Sequence, residues 1–422
     1  LGAVVRDVVH PPLFYLLLKG WMLLGGDSEG WLRLLPVTLA LVALVPFVQA
    51  CRSLPVPRTA VALALWLAAF NAYLIYYAQE LRMYSLLLCL SLWSCWQFVR
   101  VLRGEPIRGW GFVNLLLVYS DYYGWMVVLS QLALAAWLQP ARLRRMFKAT
   151  AGLAVACVPW VCLVIPASIS RGGLQSSIGS FARPDLLPDV LGWYTLNSAP
   201  LAGDLKSWGL LLFLLPWAAT IRRRDDQRLP VALLVLATLP VLTSYALSQF
   251  LPQSIWGTRF YITAALPYLL LVALGGLRLP PTIRHAWVLL VAMTAVLSCA
   301  EQLRAPEKYA WQTLTVEMAH AEHNSNITVY SFGSSDEIIH YYLQKVGDTR
   351  FHNVRIQKES QLLGDHFWVA LPEHVNVGLQ KTLERQGDTV GEGFRDGFGG
   401  LIFPVWAKPS GRCVRARPWP TT

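Results

Sequence analysis

Residues 84–100 read YSLLLCLSLWSCWQFVR, an apolar run whose single charge stands at its last position. A helix rises 1.5 Å per residue, so a run of this kind approaches the ~30 Å thickness of a membrane's hydrocarbon core. Comparable runs recur from residue 31 to residue 300, separated by short polar or basic breaks. We therefore predict a mainly α, polytopic transmembrane helical bundle of about ten spans, at residues 31–50, 59–77, 84–100, 108–120, 122–139, 149–166, 206–221, 229–248, 260–278 and 285–300.

The composition also indicates a membrane protein. Of the 422 residues, 55% are hydrophobic and 14% are charged, against about 45–50% and about 25% in soluble globular domains. These values exclude a soluble enzyme, a disordered chain and a fibrous protein. The net charge is +11. In so apolar a chain, the excess basic residues are expected in cytoplasmic loops and not on a nucleic-acid-binding face, so we predict no nucleic-acid partner. Six of the seven cysteines lie in or beside apolar runs, and we predict no disulfide bonds.

The distribution of basic residues predicts the orientation of the bundle. The loops on one side carry fifteen lysines and arginines. The loops on the other side carry Arg82, Arg171, Arg183 and Arg259. Because basic loops stay in the cytoplasm, the first side is predicted to be cytoplasmic. Residues 108–139 must then cross twice, with an external connection at residues 119–124.

Both ends of the chain are predicted to lie outside the cytoplasm. Residues 1–30 are interpreted as the remainder of a first external loop, in which Leu13–Leu24 is too short to cross and forms an interfacial helix. Residues 301–422 have an ordinary soluble composition and are predicted to form a small external α/β C-terminal domain. Its strand-like runs are Ile327–Phe332, Phe351–Ile356, Phe367–Leu371 and Leu401–Trp406, with helical patterns at Asp336–Gln344 and Val377–Arg385.

Polar side chains gather at the predicted external ends of the spans. Glu80 is the most informative, because a carboxylate at a membrane boundary is costly unless it is paired or faces a water-filled cavity. Aromatic residues at the same level are more typical of the interfacial belt, and arginines there also reach lipid head groups. The candidate residues are Asp7, His10, Gln79, Glu80, Arg82, Tyr84, Asp121 and Arg259.

Such a set suits group transfer from a lipid-linked phosphate donor. A carboxylate can take the proton of an acceptor hydroxyl, and arginines can hold the phosphate and stabilise the charge that develops on it. The chain has no glycine-rich nucleotide loop, which disfavours a soluble nucleotide donor. No cofactor is predicted with certainty, and ligation of a divalent metal is left open because His10 and one nearby acid are too few ligands.

Several stretches resemble the GT-C-class membrane glycosyltransferases related to dolichyl-phosphate-mannose protein mannosyltransferases and lipid A aminoarabinose transferases. Residues 7–16 (DVVHPPLFYL) and 26–36 (GDSEGWLRLLP) are similar to that family's His-Pro-Pro region. Residues 76–84 (YYAQELRMY) resemble its most specific segment, YYSQEARMY. Residues 256–261 (WGTRFY) and 308–311 (KYAW) also fit, the latter with one bacterial branch.

The resemblance implies an integral-membrane enzyme that transfers a sugar from a polyprenyl-phosphate donor, with inversion, to an envelope lipid, polysaccharide or protein on the external face. It implies a multi-pass protein of the bacterial inner membrane whose C-terminal domain is outside the cytoplasm. Asp7 matches the acid before the family's His-Pro-Pro motif, a carboxylate on the acceptor or metal side. Glu80 and Arg82 match its motif at the external end of a span, and Arg259 matches a position suited to the donor phosphate. We therefore predict Asp7 and Glu80 as catalytic residues and His10, Gln79, Arg82, Tyr84, Asp121 and Arg259 as substrate-binding residues. The family usually has an earlier span and an external acidic motif, so we expect the chain to be a fragment; otherwise Asp7 does that work alone.

Two other classes remain open at this stage. A transporter or flippase for a polyprenyl-linked substrate would also need a lipid-sized cavity, with Glu80 as a proton site. Transporters place ionisable groups near the membrane midplane, whereas the candidates here are predicted at helix ends. A non-catalytic subunit of envelope assembly is the third reading.

Overall fold

The computed structural model describes residues 10–169, 227–250, 255–304, 311–324, 327–332, 336–346, 350–356, 365–372, 383–385, 388–395 and 400–406. The chain divides into two compact units, Leu1–Leu303 and Arg304–Thr422. Asp7, the predicted span at 206–221 and most of the helical pattern at 377–385 lie outside the described residues.

The described part of the first unit is helical. Its helices are α1 (Leu13–Gly25), α2 (Glu29–Val42), α3 (Leu44–Arg52), α4 (Arg58–Ala69), α5 (Ala72–Ala78), α6 (Tyr84–Leu102), α7 (Arg108–Ser120), α8 (Gly124–Leu138), α9 (Pro140–Ile169), α10 (Arg228–Phe250), α11 (Ile262–Leu277) and α12 (Pro281–Arg304). A 3₁₀ turn, Thr258–Tyr261, precedes α11.

Six helical segments among the described residues are long and apolar enough to cross a membrane, and a seventh if one bent pair counts as a single span. The bent pair is α4 with α5, which meet at 60°. The break follows from Asn71, whose side-chain oxygen accepts the N–H of Leu74 at 2.9 Å and so begins a new helix. The predicted bundle of membrane helices is confirmed. Its count of about ten stays a prediction, because α7 and α8 are short and the span at 206–221 is not described.

Helix α11 forms the centre of the bundle. Nearly all of its side chains are buried, and it packs against α4, α6 and α10. A helix that is apolar on every side belongs in the interior, which agrees with this position. Trp287 of α12 lies directly over Gly276, where an added Cβ would stand 2.1 Å from the indole ring, so the close approach of the two helices requires glycine there.

A buried polar network joins α6, α7 and α8. Ser94 donates to Asn114 at 2.8 Å, and Trp110 donates through Nε1 to Gln131 at 2.6 Å. Gln131 in turn donates to Ser94 at 2.8 Å. Inside an apolar bundle such interhelical hydrogen bonds fix which faces meet.

The second unit contains a mixed sheet. Its described helices are α13 (Trp311–Ala321) and α14 (Asp336–Val346), and its strands are β1 (Ile327–Phe332), β2 (Phe351–Ile356), β3 (His366–Pro372), β4 (Thr389–Val390), β5 (Phe394–Arg395) and β6 (Gly400–Trp406). The strand order is β2-β1-β3-β6-β4, with β5 also paired to β6. The first three are parallel, and β6 runs antiparallel to β3. The predicted small α/β fold, with four strands at the predicted places, is confirmed.

Candidate active site

The charged candidates lie in connections between helices. Glu80 and Arg82 are in the short connection from α5 to α6, and Asp121 is in the one from α7 to α8. Arg259 is in the 3₁₀ turn before α11. Three separate parts of the chain therefore contribute to one region.

The turn that carries Arg259 is fixed by aromatic side chains on both sides of it. Trp256 and Tyr261 are buried and meet edge to face, with ring centroids 5.2 Å apart. The Tyr261 hydroxyl lies 2.7 Å from the hydroxyl of Ser244 in α10. Gly257 leaves room for the ring of Phe260, since an added Cβ would stand 2.9 Å from it. These contacts hold the backbone on both sides of Arg259.

Phe260 connects this turn to the other two connections. Its ring stacks on Tyr123 at 4.0 Å, with the planes 7° apart. Tyr84, the first residue of α6, meets the same ring edge to face at 6.2 Å. The guanidinium of Arg259 lies 5.0 Å from the Phe260 centroid, a cation–π contact. Arg259 thus stands beside both tyrosines.

Asp121 is buried next to this aromatic group. One carboxylate oxygen, Oδ1, accepts the backbone N–H of Tyr123 at 2.8 Å and closes a tight turn. Burial raises the pKa of Asp121 to about 7, although that hydrogen bond and the nearby charge of Arg259 act in the opposite direction. At neutral pH this carboxyl group is therefore close to its own titration midpoint.

The buried polar atoms here that have no hydrogen-bond partner among the described residues include Oδ2 of Asp121, the hydroxyl of Tyr123 and Nε of Arg259. Arg259 interacts electrostatically with both Asp121 and Tyr123, so the three atoms belong to one neighbourhood. Leaving a buried polar group unpaired costs about 1–3 kcal/mol. Folded proteins rarely keep several such groups together, and a site that binds a polar ligand is a physical reason to do so.

Glu80 and Arg82 form the outer part of the cluster. Nε of Arg82 is 3.9 Å from Oε1 of Glu80, a loose pair in which the arginine side chain is about half exposed. The backbone N–H of Arg82 bonds to the carbonyl of Glu80 at 2.7 Å, so the connection is a tight turn. Arg82 also interacts with Tyr84 and with Tyr15 of α1.

The structure brings together five of the eight predicted residues: Glu80, Arg82, Tyr84, Asp121 and Arg259. Gln79, directly after the last residue of α5, is exposed and is not part of this group. His10 lies shortly before α1. Their roles, like that of Asp7, stay predictions.

Sequence reasoning missed Tyr123 and Phe260. Both stand next to a predicted charged residue, but aromatic residues at the ends of membrane spans are usually part of the interfacial belt. Tyr123 could have been predicted from its position in the sequence, because it follows the carboxylate of Asp121 by two residues in the same connection.

Within the described ranges, no group of three His, Cys, Asp or Glu side chains is arranged to hold a metal ion. The cluster instead offers two arginines, two carboxylates and tyrosine hydroxyls, a set suited to an anionic ligand with hydroxyl groups.

No protein-family model matches the chain, and no curated protein matches it in sequence. Its fold is that of the GT-C class. The crystal structure of ArnT from Cupriavidus metallidurans in the apo state has a TM-score of 0.53 with 13% identity, covering 93% of this chain and 87% of that one. The structure of the same protein bound to undecaprenyl phosphate has a TM-score of 0.51 with 13% identity, covering 94% and 88%. At this identity the likeness establishes the fold, and it extends over nearly the whole chain.

Proposed function

We propose that this protein is a membrane glycosyltransferase that moves a sugar from a polyprenyl-phosphate donor to an acceptor hydroxyl. The observation that carries the proposal is the group of unpaired buried polar atoms around Arg259. A fold whose solved examples include one bound to undecaprenyl phosphate supports the choice of donor.

The phosphate of the donor suits Arg259. Its guanidinium is held against the Phe260 ring, and its Nε has no partner among the described side chains, so it is ready to donate to a phosphate oxygen. The Tyr123 hydroxyl offers a second donor beside it. Arg82, half exposed, adds positive charge at the outer edge of the cluster. Binding an anion here satisfies groups that have no partner among the described residues.

The carboxylates suit the sugar and the acceptor. Oδ2 of Asp121 is placed to accept from a sugar hydroxyl near the phosphate. Glu80, and Asp7 by its place in the sequence, are the proposed bases for the acceptor. The acceptor oxygen forms a bond to the anomeric carbon as the bond from that carbon to the phosphate oxygen breaks. The acceptor proton passes to the carboxylate, and the polyprenyl phosphate leaves with its charge stabilised by arginine. Attack from the face opposite the phosphate inverts the anomeric centre.

The position of the charged residues favours an enzyme over a transporter. Glu80, Asp121 and Arg259 all lie between helices, at helix ends. Transporter sites are typically formed on discontinuous helices near the midplane, where they face alternating sides of the membrane. A site at the helix ends instead brings a lipid-borne phosphate at the membrane surface to a water-borne acceptor.

The proposed setting is the bacterial inner membrane, crossed several times, with the site and the C-terminal domain outside the cytoplasm. The acceptor is an envelope lipid, glycan or protein. The excess of basic residues in the opposite loops supports this orientation.

The test is transfer of radiolabelled sugar from a panel of polyprenyl-phosphate sugars, using membranes that contain the full-length gene product. Wild-type protein should transfer from at least one donor, and Arg259→Gln should reduce that transfer by 100-fold or more, roughly the loss caused by removing one transition-state donor. Arg58→Gln, on the exposed first residue of α4, is the matched control and should transfer normally. Absence of transfer from every donor by folded wild-type protein would reject the proposal.

A further inference from the structure

A cavity lies toward the opposite ends of α6, α8 and α10, away from the candidate active site. Its volume is about 440 Å³, and its walls come from α3, α6, α8, α10 and α11. Near its mouth are the last residue of α6, the last residue of α8 and the first residue of α10. These are the helix ends that lead into the arginine-rich loops.

The cavity is lined almost entirely by aliphatic and aromatic side chains, including Leu92, Leu134, Leu233 and Leu270. Among the described residues that line it, Arg228 is the one charged side chain, and it is exposed at the mouth. An apolar cavity with a single cation at its opening matches an amphiphile with a negative head group.

A second arginine stands at the same end. The guanidinium of Arg142 lies beside Gly104, 3.2 Å from where a Cβ of that residue would stand, and Gly104 is two residues beyond Leu102 in the wall of the cavity. Neither Arg142 nor Arg228 is paired with a carboxylate in the part of the chain that the structure describes. Arg100, in contrast, is paired with Glu105. Within the described residues, two arginines at this end can therefore bind an anion.

The depth and volume of the cavity indicate what kind of apolar tail the bound amphiphile has. Leu92 and Leu102, both in its wall, are about 15 Å apart along α6 at the rise of a helix, which is half of the ~30 Å hydrocarbon core. A cavity of this depth and of about 440 Å³ suits one acyl chain within one leaflet.

We propose that this cavity binds one acyl chain of an anionic phospholipid, with the head-group phosphate at Arg228 and Arg142. The occupant comes from the leaflet on the side of the arginine-rich loops. The inference does not depend on the transfer reaction, since the residues involved are separate from those around Arg259.

Native mass spectrometry of the purified full-length protein tests the proposal. The protein is offered equal amounts of phosphatidylglycerol and phosphatidylcholine with identical 16-carbon chains. The wild type should retain one phosphatidylglycerol in preference to phosphatidylcholine by about fivefold, the selectivity expected from one arginine near an anionic head group. Arg228→Gln should still retain one lipid but lose most of that preference.

Leu233→Trp fills the cavity and should abolish retention of that lipid. Val155→Trp, at an exposed position of α9 outside the cavity, is the matched control and should behave as wild type. An unchanged preference in Arg228→Gln, a variant on an exposed residue that leaves the core intact, would overturn the proposal even if Leu233→Trp failed to fold. Displacement of phosphatidylglycerol by undecaprenyl phosphate, lost in Leu233→Trp, would also overturn it by assigning the cavity to the polyprenyl tail.

Discussion

Tyr123 and Phe260 stack face to face, with ring centroids 4.0 Å apart, across two segments that are distant in the sequence. This contact joins the connection that carries Asp121 to the turn that carries Arg259. It sets the buried carboxylate of Asp121 within electrostatic reach of the guanidinium of Arg259.

Two substitutions at Tyr123 separate the ring from the hydroxyl. Tyr123→Phe keeps the stack and removes a buried hydroxyl that has no described partner, so the empty protein should be at least as stable as wild type. Its donor affinity should fall by about tenfold, the value of one hydrogen bond to a charged group. Tyr123→Leu should lower both donor affinity and thermal stability. Thermal unfolding and donor titration measure the two effects, and equal behaviour of the two variants would show that the stack does not position Arg259.

Asp121 should make the stability of the empty protein depend on pH. Because the folded-state pKa is raised to about 7, the native state binds more protons than the unfolded chain between about pH 4 and pH 7. Stability should therefore fall as the pH rises through that window, by at most about 4 kcal/mol. Asp121→Asn should flatten the profile and be at least as stable as wild type at pH 8. Parallel unfolding-temperature profiles for the two proteins from pH 5 to pH 8 would contradict this account.

Glu80→Gln should abolish transfer and leave donor binding and membrane insertion intact. Loss of a general base typically costs 10²–10⁴-fold in rate. The matched control is Glu29→Gln, because Glu29 is a half-exposed carboxylate that pairs with Arg33 on α2. Steady-state transfer and donor retention are measured on the same preparations. Wild-type turnover in Glu80→Gln would give Glu80 a structural role only.

The second unit contains a buried acid whose loss should loosen its sheet. Glu322 accepts from Trp368 Nε1 at 2.8 Å, from His366 Nε2 at 2.5 Å and from the backbone N–H of Asn324 at 2.8 Å. Burial alone would raise its pKa, but these hydrogen bonds lower the pKa of Glu322 to about 2. The stabilisation is complete above the unfolded value of about 4.3 and is lost as the pH falls toward 2.

Glu322→Gln should therefore destabilise this unit by about 3 kcal/mol at pH 7, since it breaks a buried charged network. Hydrogen exchange of peptides that cover β3 should accelerate by roughly 100-fold. Glu384→Gln, at an exposed position, is the control. Unchanged protection of β3 in Glu322→Gln would mean that the network adds no stability.

Much of the fold could be predicted because membrane helices and buried strands carry simple hydrophobic patterns. The run at residues 327–332 and its partners read as strands, and the long apolar runs read as helices. The bend between α4 and α5 could not be predicted in this way. The run at 59–77 is apolar except for Thr59 and Asn71, and the side-chain cap at Asn71 determines the break.

The charged residues of the candidate site could be predicted from the sequence, because a charge at a membrane boundary is costly. Glu80 and Arg259 drew attention because ionisable groups at membrane boundaries need a reason to be there. Tyr123 and Phe260 gave no such signal, since their importance comes from a contact between distant segments. Gln79 adjoins Glu80 in the sequence and is exposed just after the end of α5, so its role in binding substrate stays a prediction.

The central claim is that Arg259 and Tyr123 bind the phosphate of a polyprenyl donor, with Asp121 beside them for the sugar. The most direct measurement is binding of undecaprenyl phosphate to purified wild-type, Arg259→Gln and Arg58→Gln protein by native mass spectrometry. The account predicts one bound lipid phosphate in the wild type and in Arg58→Gln, with affinity at least tenfold weaker in Arg259→Gln. Equal binding by all three proteins would contradict it.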